Sequence, residues 1–464
     1  MEMIPPFFAL IVTIFTAYLI IKGYKPQPIL MFSGIILMAS AVIFIPGGDL
    51  ATTGVLTAGR RTGSRWFDFF AYIRQLFEVR TAALGLLIMS VAGFARYMDH
   101  IGASRALVFF ATKPLRYLKQ PYVALLFCPF IIVALNLVIA SASGLGLLLM
   151  VTMFPVLVSL GISKLTATAL IGSSTFLDLG PASGNANLAA ETAGLPVMQY
   201  FVSYQIPLAL ICLVAFAITH FIVQRRFDKK AGHDFSAASQ VAAESYESDP
   251  NAPPKIYAIL PILPLILLIA FSTETNNPFV LHIVTAMLIC IAFSMVCEII
   301  RHREAKKVTE SVQEFFDGMG VSFARVITLI VAGEVFARGL MISGAIAALI
   351  NGGQALGLGG QAFTVLMSGI IASAAVVMGS GNAPFFAFAP LVPDVAAAVN
   401  VAPVTMILPM QFVVSIARSV SPITAVIVAV SGVAGLSPID VVKRTAIPMA
   451  VTFVVCLTAA AILF

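Results

Sequence analysis

Long apolar runs, cut by short clusters of Ser, Gly, Asn and Pro, dominate the chain. Runs at 6–22, 28–46, 81–99, 197–223, 278–300, 324–341 and 445–464 are near the length of about 20 residues that crosses a bilayer as a helix. The others, at 122–140, 145–161, 165–180, 256–271, 362–378, 384–393, 403–417 and 420–434, are mostly shorter. Most of these fall in pairs separated by polar residues. That pattern predicts re-entrant hairpins and broken helices, because irregular backbone survives at membrane depth only when buried in protein or lining a cavity.

A polar stretch at 224–255 divides the pattern and reads as a linker without fixed structure. The halves on either side match. Val91-Ala92-Gly93 recurs as Val331-Ala332-Gly333, and Phe94-Ala95-Arg96 as Phe336-Ala337-Arg338. Ser143-Gly144 aligns with Ser380-Gly381, Ser183 with Ser421, and Ile206-Pro207 with Ile447-Pro448. All the offsets lie near 240 residues, which predicts an internal duplication. The expected fold is an all-α polytopic membrane protein with two inverted repeats, 1–223 and 256–464. Each repeat holds about five spans plus a hairpin, at 122–161 and at 362–400, with broken spans at 165–196 and 403–434. An odd number of spans per repeat inverts the second half. Twelve full spans is the alternative.

Charge orients this topology. With the linker in the cytoplasm, Lys22, Lys25, Arg105, Lys113, Arg116, Lys119, Lys164, Arg301, Arg303, Lys306, Lys307, Lys443 and Arg444 fall on the same side. That satisfies the positive-inside rule. The 47–80 stretch is the exception. It places Arg60, Arg61, Arg65, Arg74 and Arg80 outside, partly offset by Asp49, Asp68 and Glu78, and Asp68 to Arg80 reads as an amphipathic helix on the outer face. Both termini are then periplasmic.

Composition agrees. The 464 residues are 60% hydrophobic and only 10% charged, and the mean hydropathy is +1.01. A soluble domain carries about a quarter charged residues, so a soluble enzyme is excluded. Residues 5–21 lack a small-residue cleavage site and read as a span, not a cleaved signal. The five cysteines lie inside apolar runs, and the five histidines lack metal-ligand spacing, so neither disulfides nor a metal site is expected. The net charge of +6 reads as cytoplasmic loops beside anionic lipid, with no nucleic-acid partner.

Four polar patches interrupt the apolar runs. They are Ser141-Ala142-Ser143-Gly144-Leu145-Gly146, Gly180-Pro181-Ala182-Ser183-Gly184-Asn185-Ala186-Asn187, Gly379-Ser380-Gly381-Asn382-Ala383-Pro384, and Arg418-Ser419-Val420-Ser421-Pro422-Ile423-Thr424. Repeat symmetry would gather them near the midplane. Glycine permits close backbone approach, and a helix starting at each tip directs free N–H groups inward. Two such tips suit the two ends of a short dicarboxylate. The competing reading is that these small residues serve helix packing. Arg418 matches a carboxylate bidentately, or else forms a structural ion pair or helix cap. Asp178 and Asn187, with Asn382, are candidates for a coupling Na⁺ or H⁺, and Asp178 is also a candidate partner of Arg418. Glu334 and Arg338, four apart, predict a local ion pair. Glu191 is expected near the outer interface, and Gln411 either in the cavity or bonded across helices.

The run Gly379 to Phe388, with Arg418-Ser419-Val420-Ser421-Pro422 and Val442-Lys443-Arg444-Thr445, resembles the anaerobic four-carbon dicarboxylate carriers of the DcuC type. So do Ser141 to Gly146 and Ile20-Ile21-Lys22-Gly23-Tyr24, and the similarity runs over essentially the whole chain. The segment Phe176 to Asn185 is less similar. The resemblance implies a dimeric elevator of the bacterial inner membrane, engaged in succinate efflux or fumarate–succinate exchange. It implies that Ser143, Asn382 and Ser421 lie at the substrate or ion site.

The combined expectation is a secondary transporter of a small dicarboxylate, with no cofactor beyond a coupling ion. Segments 1–46 and 256–300 form the dimer scaffold, and 122–196 with 362–434 form the moving part. An amino-acid or monocarboxylate transporter of the same fold, and an anion channel, are the alternatives. An intramembrane enzyme finds no support, since there is no H-E-x-x-H or nucleotide motif.

Overall fold

The computed structural model describes residues 4–44, 62–117, 121–139, 141–233, 253–271, 279 and 281–464. Residues 234–252 of the expected linker, and Asp49, Arg60 and Arg61, lie outside the described residues. All the described elements are helices or helical turns. Helices α1 (Ile4–Ile21) and α2 (Pro26–Phe44) come first. Next, α3 (Arg65–Arg80) passes through a π turn at Thr81–Gly85 into α4 (Leu86–His100). Then follow α5 (Ala103–Thr112), α6 (Pro121–Asn136), α7 (Ala142–Ser159), α8 (Lys164–Gly172) and α9 (Gly184–Thr192). The first half closes with α10 (Val197–Gln199), which runs through a π turn at Tyr200–Gln205 into α11 (Ile206–Lys230).

The second half begins with α12 (Leu263–Ala270) and α13 (Ile283–His302). A π turn at Phe323–Ile327 joins α14 (Ala305–Ser322) to α15 (Thr328–Ile342). Then come α16 (Ala345–Ala355), α17 (Gly360–Met378), α18 (Asn382–Phe388) and α19 (Val392–Ala398). The chain ends with α20 (Pro403–Arg418), α21 (Ala425–Ala434) and α22 (Pro438–Leu463). Among the described residues, seven helices are long and apolar enough to cross a membrane.

Four boundaries differ from the sequence reading. The amphipathic helix over 68–80 and the span at 81–99 are one continuous rod, Arg65–His100, of 36 residues. The span at 324–341 likewise extends back to Ala305 as a rod of 38 residues. No proline interrupts either rod, and each π turn lets the polar half rotate relative to the apolar half without ending the helix. The expected span at 256–271 shrinks to α12, after a 3₁₀ turn at Lys255–Ile259, because Pro261 and Pro264 remove backbone donors. Finally, α11 continues seven residues into the expected linker, to Lys230. Its extension is held by burial: Gln224 and Asp228 are fully enclosed, and Arg444 Nη1 donates to Asp228 Oδ1 at 2.8 Å.

Packing pairs elements of the two halves. Helix α2 lies along α15, α4 along α14 and α11 along α22, while α17 packs on α20. The α2–α15 crossing depends on Gly34. A Cβ there would sit 2.6 Å from the backbone of Val335 and Phe336. Gly34→Ala is therefore expected to force the helices apart and cost about 1–3 kcal/mol, the usual range for overpacking. A lowered melting temperature in detergent checks this, and an unchanged one would show that the crossing tolerates the added volume.

Candidate functional site

Four helix interruptions shape the centre of the molecule. Helix α6 ends at Asn136 and α7 restarts at Ala142, with Ser141 Oγ capping the new helix by accepting from Gly144 N at 3.1 Å. Helix α8 ends at Gly172 and α9 restarts at Gly184, capped by Ser183 Oγ, which accepts from Ala186 N at 3.1 Å. Such caps satisfy one of the orphan donors of a helix start. In the second half, α17 stops at Gly379, whose φ of 62° lies in the left-handed region, and α18 restarts at Asn382. Helix α20 stops at Arg418 and α21 restarts at Ala425.

These ends converge on a cavity of about 240 Å³. Arg418, Asp178, Thr175, Asn185, Asn382 and Ser322 supply its polar wall, and Ile88, Val91, Val326 and Phe386 its apolar wall. A short hydrogen-bond chain joins the halves. Asn185 Nδ2 donates to Asp178 Oδ2 at 2.8 Å and to Asn382 Oδ1 at 3.1 Å. Arg418 Nη2 donates to the Thr175 carbonyl at 3.0 Å. Asp178 is held from behind by Gln411, whose Nε2 donates to the Asp178 carbonyl at 2.7 Å. Gln411 Oε1 in turn accepts from Tyr200 Oη at 2.8 Å and from Gln205 Nε2 at 3.0 Å. Gln411 is thus a cross-helix clamp.

Three buried polar atoms on the cavity residues make no hydrogen bond within the protein: Arg418 Nε, Asn185 Oδ1 and Ser322 Oγ. Buried polar groups are nearly always paired, so these three atoms retain unused hydrogen-bonding capacity on the lining of one cavity.

The sequence-predicted residues divide. Arg418, Asp178, Ser183, Asn185 and Asn382 line the cavity. From the first hairpin tip, Ala142 lines it rather than Ser141, Ser143 or Gly144. Ser380 and Gly381 flank Asn382 without lining it, and a Cβ on Gly381 would lie 3.3 Å from Arg418 Cδ, so this glycine lets the guanidinium pass. Ser419, Ser421 and Thr424 sit behind Arg418. Ser419 Oγ bonds the Ser415 carbonyl at 3.0 Å and Thr424 Oγ1 bonds the Arg418 carbonyl at 2.6 Å, while Ser421 is fully buried. Asn187 points away, with Nδ2 spent on the carbonyls of Pro181 and Ser183.

The expected pair of Glu334 with Arg338 is replaced. Glu334 pairs with Arg80, which also pairs with Glu191. The 65–100 rod brings Arg80 across to α15, and the buried Glu334 carboxylate takes that cation. The sequence reading also missed Asn136, Thr175 and Ser322. Asn136 had a usable signal, an amide inside the apolar run 122–140 and five residues before the first patch. Ser322 had none, because the polar α14 gives no hint that one of its faces turns inward.

The family described as "C4-dicarboxylate anaerobic carrier" matches residues 4–464. A Vibrio cholerae protein named "Probable anaerobic C4-dicarboxylate transporter DcuC" is 35% identical over 445 residues, covering 95% of this chain and 94% of the relative. The anaerobic C4-dicarboxylate transporter DcuC of Escherichia coli K12 is 34% identical over 451 residues, covering 97% and 94%. Among solved structures, MtrF of Neisseria gonorrhoeae, described within a class of antimetabolite efflux pumps, superposes with a TM-score of 0.61 at 14% identity, over 93% of this chain and 94% of that one. The YdaH transporter of Alcanivorax borkumensis gives 0.54 at 14% identity, over 95% and 97%. At such identities the two structures speak to the fold alone.

Proposed function

The chain belongs to the C4-dicarboxylate anaerobic carrier family, and on that footing we propose that its central cavity binds a four-carbon dicarboxylate and presents it alternately to the two sides of the membrane. It is a multi-pass inner-membrane transporter of dicarboxylates, and its relatives are transporters rather than enzymes. The observation that carries the site assignment is the convergence of Arg418, Asn185 and Ser322, each with an unpartnered buried polar atom, on one cavity. A guanidinium with a free edge recognises a carboxylate in a fixed plane. Asn382 and the capped start of α9 lie on the same cavity, where a second carboxylate would find neutral donors.

The two-repeat reading is supported by matching landmarks. The π turns at Thr81–Gly85 and Phe323–Ile327 occupy equivalent places in their rods. Left-handed glycines follow both rods, at Gly102 and Gly344. In our reading the two rods with α1, α2, α12 and α13 form a dimeric scaffold, and the interrupted helices move against it as an elevator that exchanges succinate for fumarate. Counterflow tests the exchange. Proteoliposomes loaded with succinate should take up labelled fumarate saturably, and only when succinate is inside. Uptake that ignores internal succinate would exclude exchange. No uptake by folded protein would turn the assignment toward an amino acid or monocarboxylate.

Charge suggests how transport couples to an ion. Arg418 and Asp178 bring opposite charges to the cavity, so a dianion enters without net compensation. A co-transported proton or Na⁺ at Asp178 would supply one of the two missing positive charges. Asp178→Asn is expected to keep exchange and to remove any stimulation by Na⁺ or by a proton gradient. Stimulation that survives the substitution would place coupling elsewhere.

A further inference from the structure

A second, larger cavity of about 460 Å³ lies beyond the far end of α9. Two of the elements that wall it, the 65–100 rod and α9, also line the central cavity, and a third wall comes from α15. The 65–100 rod gives Tyr72, Gln75 and Arg80; α15 gives Glu334 and Arg338; α9 gives Leu188, Glu191 and Thr192. Helix α9 therefore connects the two spaces, with Asn185 at the central one and Glu191 at this vestibule. Six residues separate them, about 9 Å along a helix.

The ties on Arg80 are unequal. Its guanidinium pairs with Glu334, whose side chain is 7% exposed, and with Glu191, whose side chain is 44% exposed. A pair that keeps one carboxylate in water contributes little, whereas an unpaired buried carboxylate is costly. Glu334 thus fixes the guanidinium in place, and Glu191 is the exchangeable partner. The second cation, Arg338, faces the same cavity from α15, where the uncharged Tyr72 shares the lining. Two guanidinia on the lining of one cavity offer a partner to each end of a dicarboxylate.

We propose that this vestibule is a second dicarboxylate site, a loading station in which a substrate carboxylate displaces Glu191 from Arg80 while the other end faces Arg338. The inference rests on the dicarboxylate reading of the central cavity. Displacement of Glu191 frees the outer end of the helix whose inner end carries Ser183 and Asn185, so loading the vestibule loosens one wall of the central site.

The test is equilibrium dialysis of labelled succinate against the full chain in detergent. Wild type is expected to bind two molecules per chain. Arg418→Ala should leave one, and Arg80→Gln should leave the other. Glu191→Gln keeps the Arg80–Glu334 pair and removes the internal competitor. Combined with Arg418→Ala, it should tighten the remaining site about fivefold, the most that a largely exposed ion pair is worth. Because Arg80→Gln strands Glu334 and could fail to fold, the Glu191→Gln arm decides on its own. Unchanged affinity there overturns the vestibule site. A single wild-type site abolished by Arg418→Ala also overturns it and leaves the central assignment standing. No succinate bound by folded wild type would overturn both.

Discussion

Replacing Arg418 by alanine is expected to abolish succinate–fumarate counterflow while the protein still elutes as a folded species in detergent. The guanidinium lies on the cavity wall, anchored by one bond to the Thr175 carbonyl and free at Nε. Its removal deletes the only arginine or lysine among the described residues of that lining and leaves the Asp178 carboxylate on the cavity wall. Truncating one partner of a desolvated charge pair costs about 2–5 kcal/mol, or roughly 30- to several-thousand-fold in affinity. Arg418→Lys keeps the charge but loses the planar fork, and should recover only part of the binding. Titration with labelled succinate measures both variants. Affinity unchanged in the alanine variant would make Arg418 a structural group that closes α20, and the site would have to be sought elsewhere.

The largest expected effect on stability lies away from the cavity, at Asp228. Its carboxylate is fully buried and accepts from Arg444 at 2.8 Å, Ser163 Oγ at 2.9 Å, Thr166 Oγ1 at 2.8 Å and Tyr122 Oη at 3.2 Å. Those donors come from α6, α22, the cap of α8 and α8 itself, so one carboxylate ties four parts of the fold to the end of α11. Asp228→Ala strands the Arg444 guanidinium in a buried site and should cost about 3–5 kcal/mol. A melting temperature lowered by many degrees, or loss of the folded species in detergent, is the expected reading. The pair variant Asp228→Leu with Arg444→Met should restore much of the loss, because a buried ion pair is often no better than well-packed apolar groups. A single variant that melts like wild type would show that water or lipid headgroups reach this network.

Much of this candidate site was legible along the chain because burial of charge in a membrane is so costly. Arg418 stands out in an apolar setting, and Asp178, Asn185 and Asn382 stand out inside breaks. The serines were legible as positions but not as roles. Ser141 and Ser183 have their oxygens engaged at helix starts, Ser419 bonds within its own helix, and Thr424 secures the Arg418 carbonyl. A serine at a helix break satisfies the sequence pattern whether its oxygen meets a ligand or a backbone N–H, so the pattern alone does not separate the two.

Local hydropathy, charge and spacing suffice for the membrane setting, the paired interruptions and the arginine beside the central cavity. These follow from chain-local physics, since apolar runs must find lipid or core and polar breaks must be sheltered. The partners depend on tertiary structure. It replaces the local Glu334–Arg338 pair with one from Arg80 and extends α11 to reach Arg444. It also brings Ser322 to a cavity shared with Asn185. Each of these outcomes joins groups more than a hundred residues apart or depends on which face of a long rod turns inward, and no window along the sequence holds that information.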